Sequence, residues 1–125
     1  MKALHTTAAP AAIGPYSQAI EVNNFVYVSG QLPIDSTTGE FAEGGIKEQT
    51  RQSLTNAASI LKEAGLNMSN VVKTTVFLSD MENFAAMNEV YATFFSAPYP
   101  ARSAVAVKAL PKGALVEIEC IAAKF

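Results

Sequence analysis

The chain has no tryptophan, a single cysteine and a single histidine, and only 16% of its 125 residues are charged. Each scarcity excludes a class of chemistry. One cysteine, Cys120, cannot close an internal disulfide, and its alternation with Ile118 and Ala122 reads as buried packing. The histidine, His5, lies near the N-terminus, so the chain lacks the makings of a histidine-based triad or a His/Cys metal set. No glycine-rich phosphate loop and no Gly-x-Ser-x-Gly elbow occurs. Nine basic against eleven acidic residues give a net charge of −2, with no Lys/Arg cluster, so nucleic acid is not expected as a partner. Lys, Asp, Glu or Asn interrupts every apolar segment well short of the ~18 residues of a membrane span. Met1 to His5 lacks the apolar run of a secretory signal, and a cytoplasmic protein is expected.

What is abundant is apolar: half of the residues are hydrophobic. That is enough for one core over residues 1–125, read as one domain, and generous for a monomer of this size. Ser17 to Val22 and Phe25 to Gly30 flank Asn23-Asn24, a two-residue link that tolerates positive φ, and predict a hairpin. Gln31 to Gly45 is rich in turn formers and reads as a long loop. Ile46, Thr50, Leu54, Ala57, Ile60, Leu61 and Ala64 recur at helical spacing, with Gly65 placed as a C-terminal cap. Val71 to Leu78 is a β-branched strand. Ser79-Asp80-Met81-Glu82 opens a second helix, ending near Ser96 before Pro98 and Pro100. Ala101 to Ala109 and Ala114 to Ala123 read as two strands around the turn Leu110-Pro111-Lys112-Gly113. The order ββαβαββ is that of an α+β fold with one mixed sheet and two helices on one face. Apolar residues such as Phe25, Tyr27, Val105 and Ile121 recur among the strands on both alternations, so the second sheet face also seeks burial. Packing against identical subunits would supply it.

Within this apolar frame a few residues stand out chemically. Arg102 sits inside Pro100-Ala101-Arg102-Ser103-Ala104-Val105, an otherwise small and apolar strand. A guanidinium keeps its charge, so it either reaches solvent, pairs with a carboxylate of the chain, or receives a small organic acid through its planar fork. Asn88 lies among Phe84, Tyr91 and Phe95, as a structural amide or as a pocket wall. Glu117 and Glu119 alternate with aliphatics. Beside apolar surface such a carboxyl can serve as an acid or base, and otherwise it is a solvated edge position. If the last two strands form a simple hairpin, Ala106 faces Glu117 and Arg102 faces Ile121. Arg102 and both glutamates then share a face, with Arg102 about 13 Å from the row of Glu117. That is too far to hold one small substrate within a subunit, although long side chains shorten the gap, so if Arg102 and Glu117 serve one pocket a neighbouring subunit is expected to supply one of them. Tyr16 follows a Gly-Pro turn, and Ser29-Gly30-Gln31 ends a strand where glycine permits close approach to the backbone.

Five segments, Ala12-Ile13-Gly14-Pro15-Tyr16-Ser17-Gln18-Ala19, Val28-Ser29-Gly30-Gln31-Leu32-Pro33, Val72-Lys73-Thr74-Thr75-Val76-Phe77-Leu78, Pro100-Ala101-Arg102-Ser103 and Glu117-Ile118-Glu119, resemble the RidA (YjgF) family of reactive intermediate deaminases. The resemblance covers nearly the whole chain in order. It implies a chorismate-mutase-like fold and a homotrimer whose sheets pack into a central barrel, with clefts between subunits. It also implies hydrolysis of 2-imino or enamine acids, such as 2-aminoacrylate and 2-iminobutanoate from pyridoxal-phosphate dehydratases, to 2-keto acids and ammonia. No cofactor is implied. By the same resemblance Arg102 grips the substrate carboxylate, Glu117 positions or deprotonates the hydrolytic water, and Tyr16, Ser29, Gly30 and Asn88 complete the pocket. Many members carry Cys where this chain has Ala104, a departure that alters pocket shape and leaves backbone contacts available. Two other readings stay open: a regulatory trimer that binds a carboxylate metabolite without turnover, and the translation-inhibitor or ribonuclease activity also described for the family.

Overall fold

A computed structural model describes all residues, Met1–Phe125. In chain order the elements are β1 (Lys2–Leu4), β2 (Ala19–Val22), β3 (Phe25–Gln31), β4 (Ile34–Asp35), β5 (Glu40–Phe41), α1 (Ile46–Lys62), β6 (Val71–Leu78), α2 (Phe84–Tyr91), β7 (Ala101–Ala106) and β8 (Val116–Ala123). The expected mixed sheet and both helices are present. The sheet has six strands in the order β1-β2-β3-β8-β6-β7, and the additional strands β4 and β5 pair separately inside the segment read as a loop. The N-terminal β1, also not foreseen, pairs antiparallel with β2. No helix is long and apolar enough to cross a membrane.

Local chemistry accounts for the boundaries. Asn23 and Asn24 both adopt positive φ, +50° and +64°, the left-handed pair that a two-residue hairpin turn requires. At the start of α1 the Glu48 carboxylate accepts from the Gly45 N–H at 2.9 Å. At its end Gly65 takes φ +73° and the Leu66 N–H reaches back to the Leu61 carbonyl at 3.1 Å, which satisfies an otherwise orphaned acceptor. The second helix is shorter than its apolar spacing suggested. Asp80, rather than Ser79, caps a 3₁₀ turn over Met81–Asn83 by accepting from the Glu82 N–H, and Phe95 is already extended.

The decisive difference lies in the last strands. They do not form a hairpin: β7 pairs parallel with β6, and β8 pairs antiparallel with the other side of β6. Two crossovers dictate this, since β6–α2–β7 is a βαβ unit that carries β7 outward to the sheet edge. The return segment 107–115 then passes the end of β6, held by bonds from Val107 N to the Leu78 carbonyl and from Ser79 N to the Leu115 carbonyl. It delivers β8 between β3 and β6.

Both helices pack on one face. Leu54, Ala57, Ile60 and Leu61 of α1, with Met87 and Tyr91 of α2, are buried against Val26, Val28, Val76, Leu78, Val116, Ile118 and Ala122. The opposite face carries Phe25, Tyr27 and Val105, each at least 39% exposed. Polar groups of α1 fasten the connections. Asn56 donates to the carbonyls of Leu32 and Ile34, and Gln49 accepts from Leu115 N. Gln18, buried, bonds Thr6 and Pro10 and pins the N-terminal segment beside β2.

Candidate active site

Arg102 is the second residue of β7 and pairs with Thr74 of β6. Thr74 is buried and faces the helices, so Arg102 is directed to the same side, against α2. Its Nη1 donates to Asn88 Oδ1 at 2.6 Å. Its Cζ lies 4.7 Å from the centre of the Tyr91 ring and 5.4 Å from that of Phe84. The chain forms ion pairs between Lys47 and Glu89 and between Lys124 and Glu21, and Arg102 enters neither. Of the alternatives the sequence left open, pairing with one of the chain's own carboxylates is therefore not realised. Four of the five guanidinium N–H groups have no protein acceptor. Ala104 follows on the same side of β7, opposite Val76, and is half-buried against the core cluster that includes Tyr91 and Met87.

Glu117 stands elsewhere. Val116, Ile118, Cys120 and Ala122 turn to the helices, so Glu117 and Glu119 project from the opposite face. The expectation that Arg102 shares a face with the glutamates is thus overturned, because it rested on the hairpin that β7 and β8 do not make. The rows confirm a separation. Arg102 lies across from Thr74 and Glu117 across from Phe77, three residues further along and two strands away. That places their Cα atoms roughly 14 Å apart, with the side chains on opposite sides of the sheet.

The residues around Glu117 form a second group. Between Val28 and Gln31 the pairing of β3 with β8 is interrupted by a bulge that contains Ser29 and Gly30. A methyl group added at Gly30 would lie 2.7 Å from Glu117 Oε2, so the bare glycine is what accommodates the carboxylate. Burial first, and the neighbouring Glu119 charge second, push the Glu117 carboxyl above its ordinary range. Ser29 donates its hydroxyl to the Ser17 carbonyl at 2.6 Å and its N–H to the Gln18 carbonyl at 2.9 Å, which moors the segment that presents Tyr16. Tyr16 and Gly30 line one cleft of about 590 Å³, together with Pro10, Ile13, Gln31 and Leu32. Arg102 and Asn88 are not part of this cleft.

One chain therefore holds the candidate residues in two separate groups: Arg102, Asn88 and Ala104 at the β7 edge, and Glu117 against Gly30 at the β3 bulge, with Ser29 in the same bulge and Tyr16 in a cleft that Gly30 lines but Glu117 and Ser29 do not. The sequence reading missed the roles of Phe84 and Tyr91 around the guanidinium. Their positions four before and three after Asn88 on one helix were the available signal.

The model of the family described as endoribonuclease L-PSP matches residues 6–124. A mouse protein named 2-iminobutanoate/2-iminopropanoate deaminase is 52% identical over 121 residues, 97% of this chain and 90% of that protein. Among solved structures, RidA from an Antarctic Psychrobacter superimposes with a TM-score of 0.94 at 48% identity, covering 99% of this chain and 100% of the other. Escherichia coli TdcF with bound serine superimposes at 0.95 with 43% identity, covering 100% of both chains.

Proposed function

The chain belongs to the endoribonuclease L-PSP family, that of the RidA proteins, and from this membership we propose that it hydrolyses 2-imino acids and their enamine tautomers to 2-keto acids and ammonia. The observation that carries the reading is Arg102, a guanidinium with no carboxylate partner in its own chain, rooted on a strand beside an oriented amide. A small carboxylate is its complementary ligand. The mouse relative named as a deaminase supports the reaction class, and the serine-bound relative supports a ligand of amino-acid size.

In this reaction Arg102 holds the substrate carboxylate and so fixes the imine carbon. The Glu117 carboxylate takes a proton from a water as its oxygen attacks that carbon. The same carboxyl then gives a proton to nitrogen, and the tetrahedral adduct collapses with loss of ammonia as the hydroxyl becomes the keto oxygen. A carboxyl whose affinity for protons is raised by burial is suited to both transfers. Tyr16, Ser29, Gly30 and Asn88 shape the pocket, and Ala104 leaves room where a larger side chain would narrow it. Removal of the imines released by pyridoxal-phosphate dehydratases, in the cytoplasm, is the corresponding cellular task.

Arg102 and Glu117 lie on opposite faces of one sheet, so a complete pocket needs Arg102 from one subunit and Glu117 from another. A homotrimer with the exposed sheet faces turned inward as a barrel provides both the junction and cover for Phe25, Tyr27 and Val105. The ribonuclease reading gains no support from a net charge of −2.

The test is keto-acid release from freshly generated 2-aminoacrylate or 2-iminobutanoate. Release faster than the spontaneous rate is expected, with at least a hundredfold loss in Arg102→Lys, since a point charge does not reproduce the fork. No acceleration by the parent protein on either substrate would refute the reading and favour a binding or regulatory role.

A further inference from the structure

Three side chains of α2, spaced four and three residues apart, converge on one guanidinium. Phe84 and Tyr91 offer ring faces and Asn88 offers its amide oxygen. All of these contacts come from the same helix, and they use only one of the five guanidinium N–H groups as a hydrogen-bond donor. Tyr91 is itself fixed. Its hydroxyl lies 2.7 Å from Thr74 Oγ1, and both residues are at most 5% exposed. Thr74 is in turn the strand partner of Arg102. The contacts close a circuit from Arg102 through the β6–β7 pairing to Thr74, through the hydroxyl pair to Tyr91, and from the Tyr91 ring back to the guanidinium.

We propose that Tyr91, assisted by Phe84, is a positioning residue for carboxylate capture, holding the Arg102 guanidinium in the orientation that presents its fork to the substrate. The proposal rests on the assignment of Arg102 as the carboxylate receptor. An arginine side chain has many rotamers, and ordering it anew for each ligand would be charged against affinity. A ring already stacked on it removes that cost before binding. Thr74 anchors the far end of the ring, and a buried threonine hydroxyl needs the partner that the phenol supplies. The grip on the carboxylate is made equally in the bound substrate and in the transition state. Loosening it should therefore raise KM and leave kcat comparatively untouched.

The experiment measures KM and kcat for 2-iminobutanoate, binding of 2-oxobutanoate by calorimetry, and the unfolding midpoint, for Tyr91→Leu, Tyr91→Phe, Phe84→Leu and Arg102→Ala. Tyr91→Leu is expected to raise both KM and the 2-oxobutanoate Kd about tenfold, with kcat changed less than about threefold. Tyr91→Phe keeps the ring and should return KM to within about threefold of the parent even where its unfolding midpoint falls. Phe84→Leu, at a half-buried position, should show the same KM bias in milder form, and it carries the test if Tyr91→Leu fails to fold. Folded leucine variants with the parent's KM and Kd would overturn the proposal and leave the rings as packing. Arg102→Ala separates the two levels. If it too keeps the parent's affinity, the receptor assignment fails; if it alone loses binding, only the positioning role does.

Discussion

Gly30 and Glu117 show how single residues decide this site. A strand-ending glycine suggests close approach to the backbone, and the space a Cβ would take at Gly30 is occupied by the Glu117 carboxylate of β8 while Gly30 also lines the cleft. In Gly30→Ala the new methyl would stand 2.7 Å from Oε2, against the end of a side chain that can swing away. The fold should survive with little change in unfolding midpoint, while kcat/KM falls by about tenfold or more, because a displacement near 1 Å in a positioned base is costly. Retained activity would mean that the carboxylate works from elsewhere. The pH dependence carries a definite sign. Burial and Glu119 raise the affinity of Glu117 for its proton, so the basic form is lost on acidification at a higher pH than for an ordinary carboxylate. The acid limb of kcat/KM should lie above pH ~4.3. Glu119→Gln removes the second cause and should move the limb to lower pH, without returning it fully while burial remains. The same shift implies that stability contributed by protonated Glu117 is lost as pH rises through its folded-state pKa, so Glu117→Gln should not lower the unfolding midpoint at neutral pH. The chemical identities of Arg102, Asn88 and Glu117 were legible in the sequence, since each is a polar group set in an apolar pattern. The face each occupies was not, because parity across a sheet depends on which strands are neighbours.

At the scale of elements, local signals read well wherever the cause is local. The Asn23-Asn24 turn, the start and end of α1 and the span of β6 follow from turn chemistry, capping and β-branching over a few residues. The pairing of β7 was illegible for the opposite reason. Val107–Leu115 resembles a hairpin connection, and only the crossover through α2 places β7 beyond β6. Short strands such as Lys2–Leu4, Ile34–Asp35 and Glu40–Phe41 carry too few residues to show a period, and are held by partners distant in sequence or by a local turn. The turn assignment can be tested. Asn24 holds φ +64°, a conformation glycine adopts without the steric penalty of a Cβ. Asn24→Gly is expected to be neutral or slightly stabilising, whereas Asn24→Val should destabilise by roughly 1–2 kcal/mol. Urea denaturation measures both, and equal midpoints for the two variants would contradict a left-handed requirement at this turn.

For the whole molecule the proposed function requires that Arg102 and Glu117, on opposite faces of one sheet, serve one substrate. On the proposed reading each chain offers Arg102 at its β7 edge and the Glu117 carboxyl at its β3 bulge, and the exposed Phe25, Tyr27 and Val105 make the uncovered face the one expected to meet other copies. Light scattering at micromolar concentration should give three times the chain mass, and a monomer would contradict the burial of this face. Assembly alone does not show that the pocket is shared, but complementation does. Arg102→Ala and Glu117→Gln should each be nearly inactive when assembled alone, since every junction then lacks one of the two groups. If both are denatured, mixed in equal amounts and reassembled at random, a junction works when its arginine comes from the Glu117→Gln chain and its carboxylate from the Arg102→Ala chain. That occurs at about a quarter of the junctions in a cyclic assembly with one such contact per subunit, so about a quarter of the parent activity should return. A pocket built within a single chain would return none, because no chain in the mixture carries both groups. Mixed assembly is verified by mass spectrometry of the reassembled species, so that an inactive mixture of confirmed hybrids would mean that Arg102 and Glu117 act from the same chain and would refute a pocket shared between subunits.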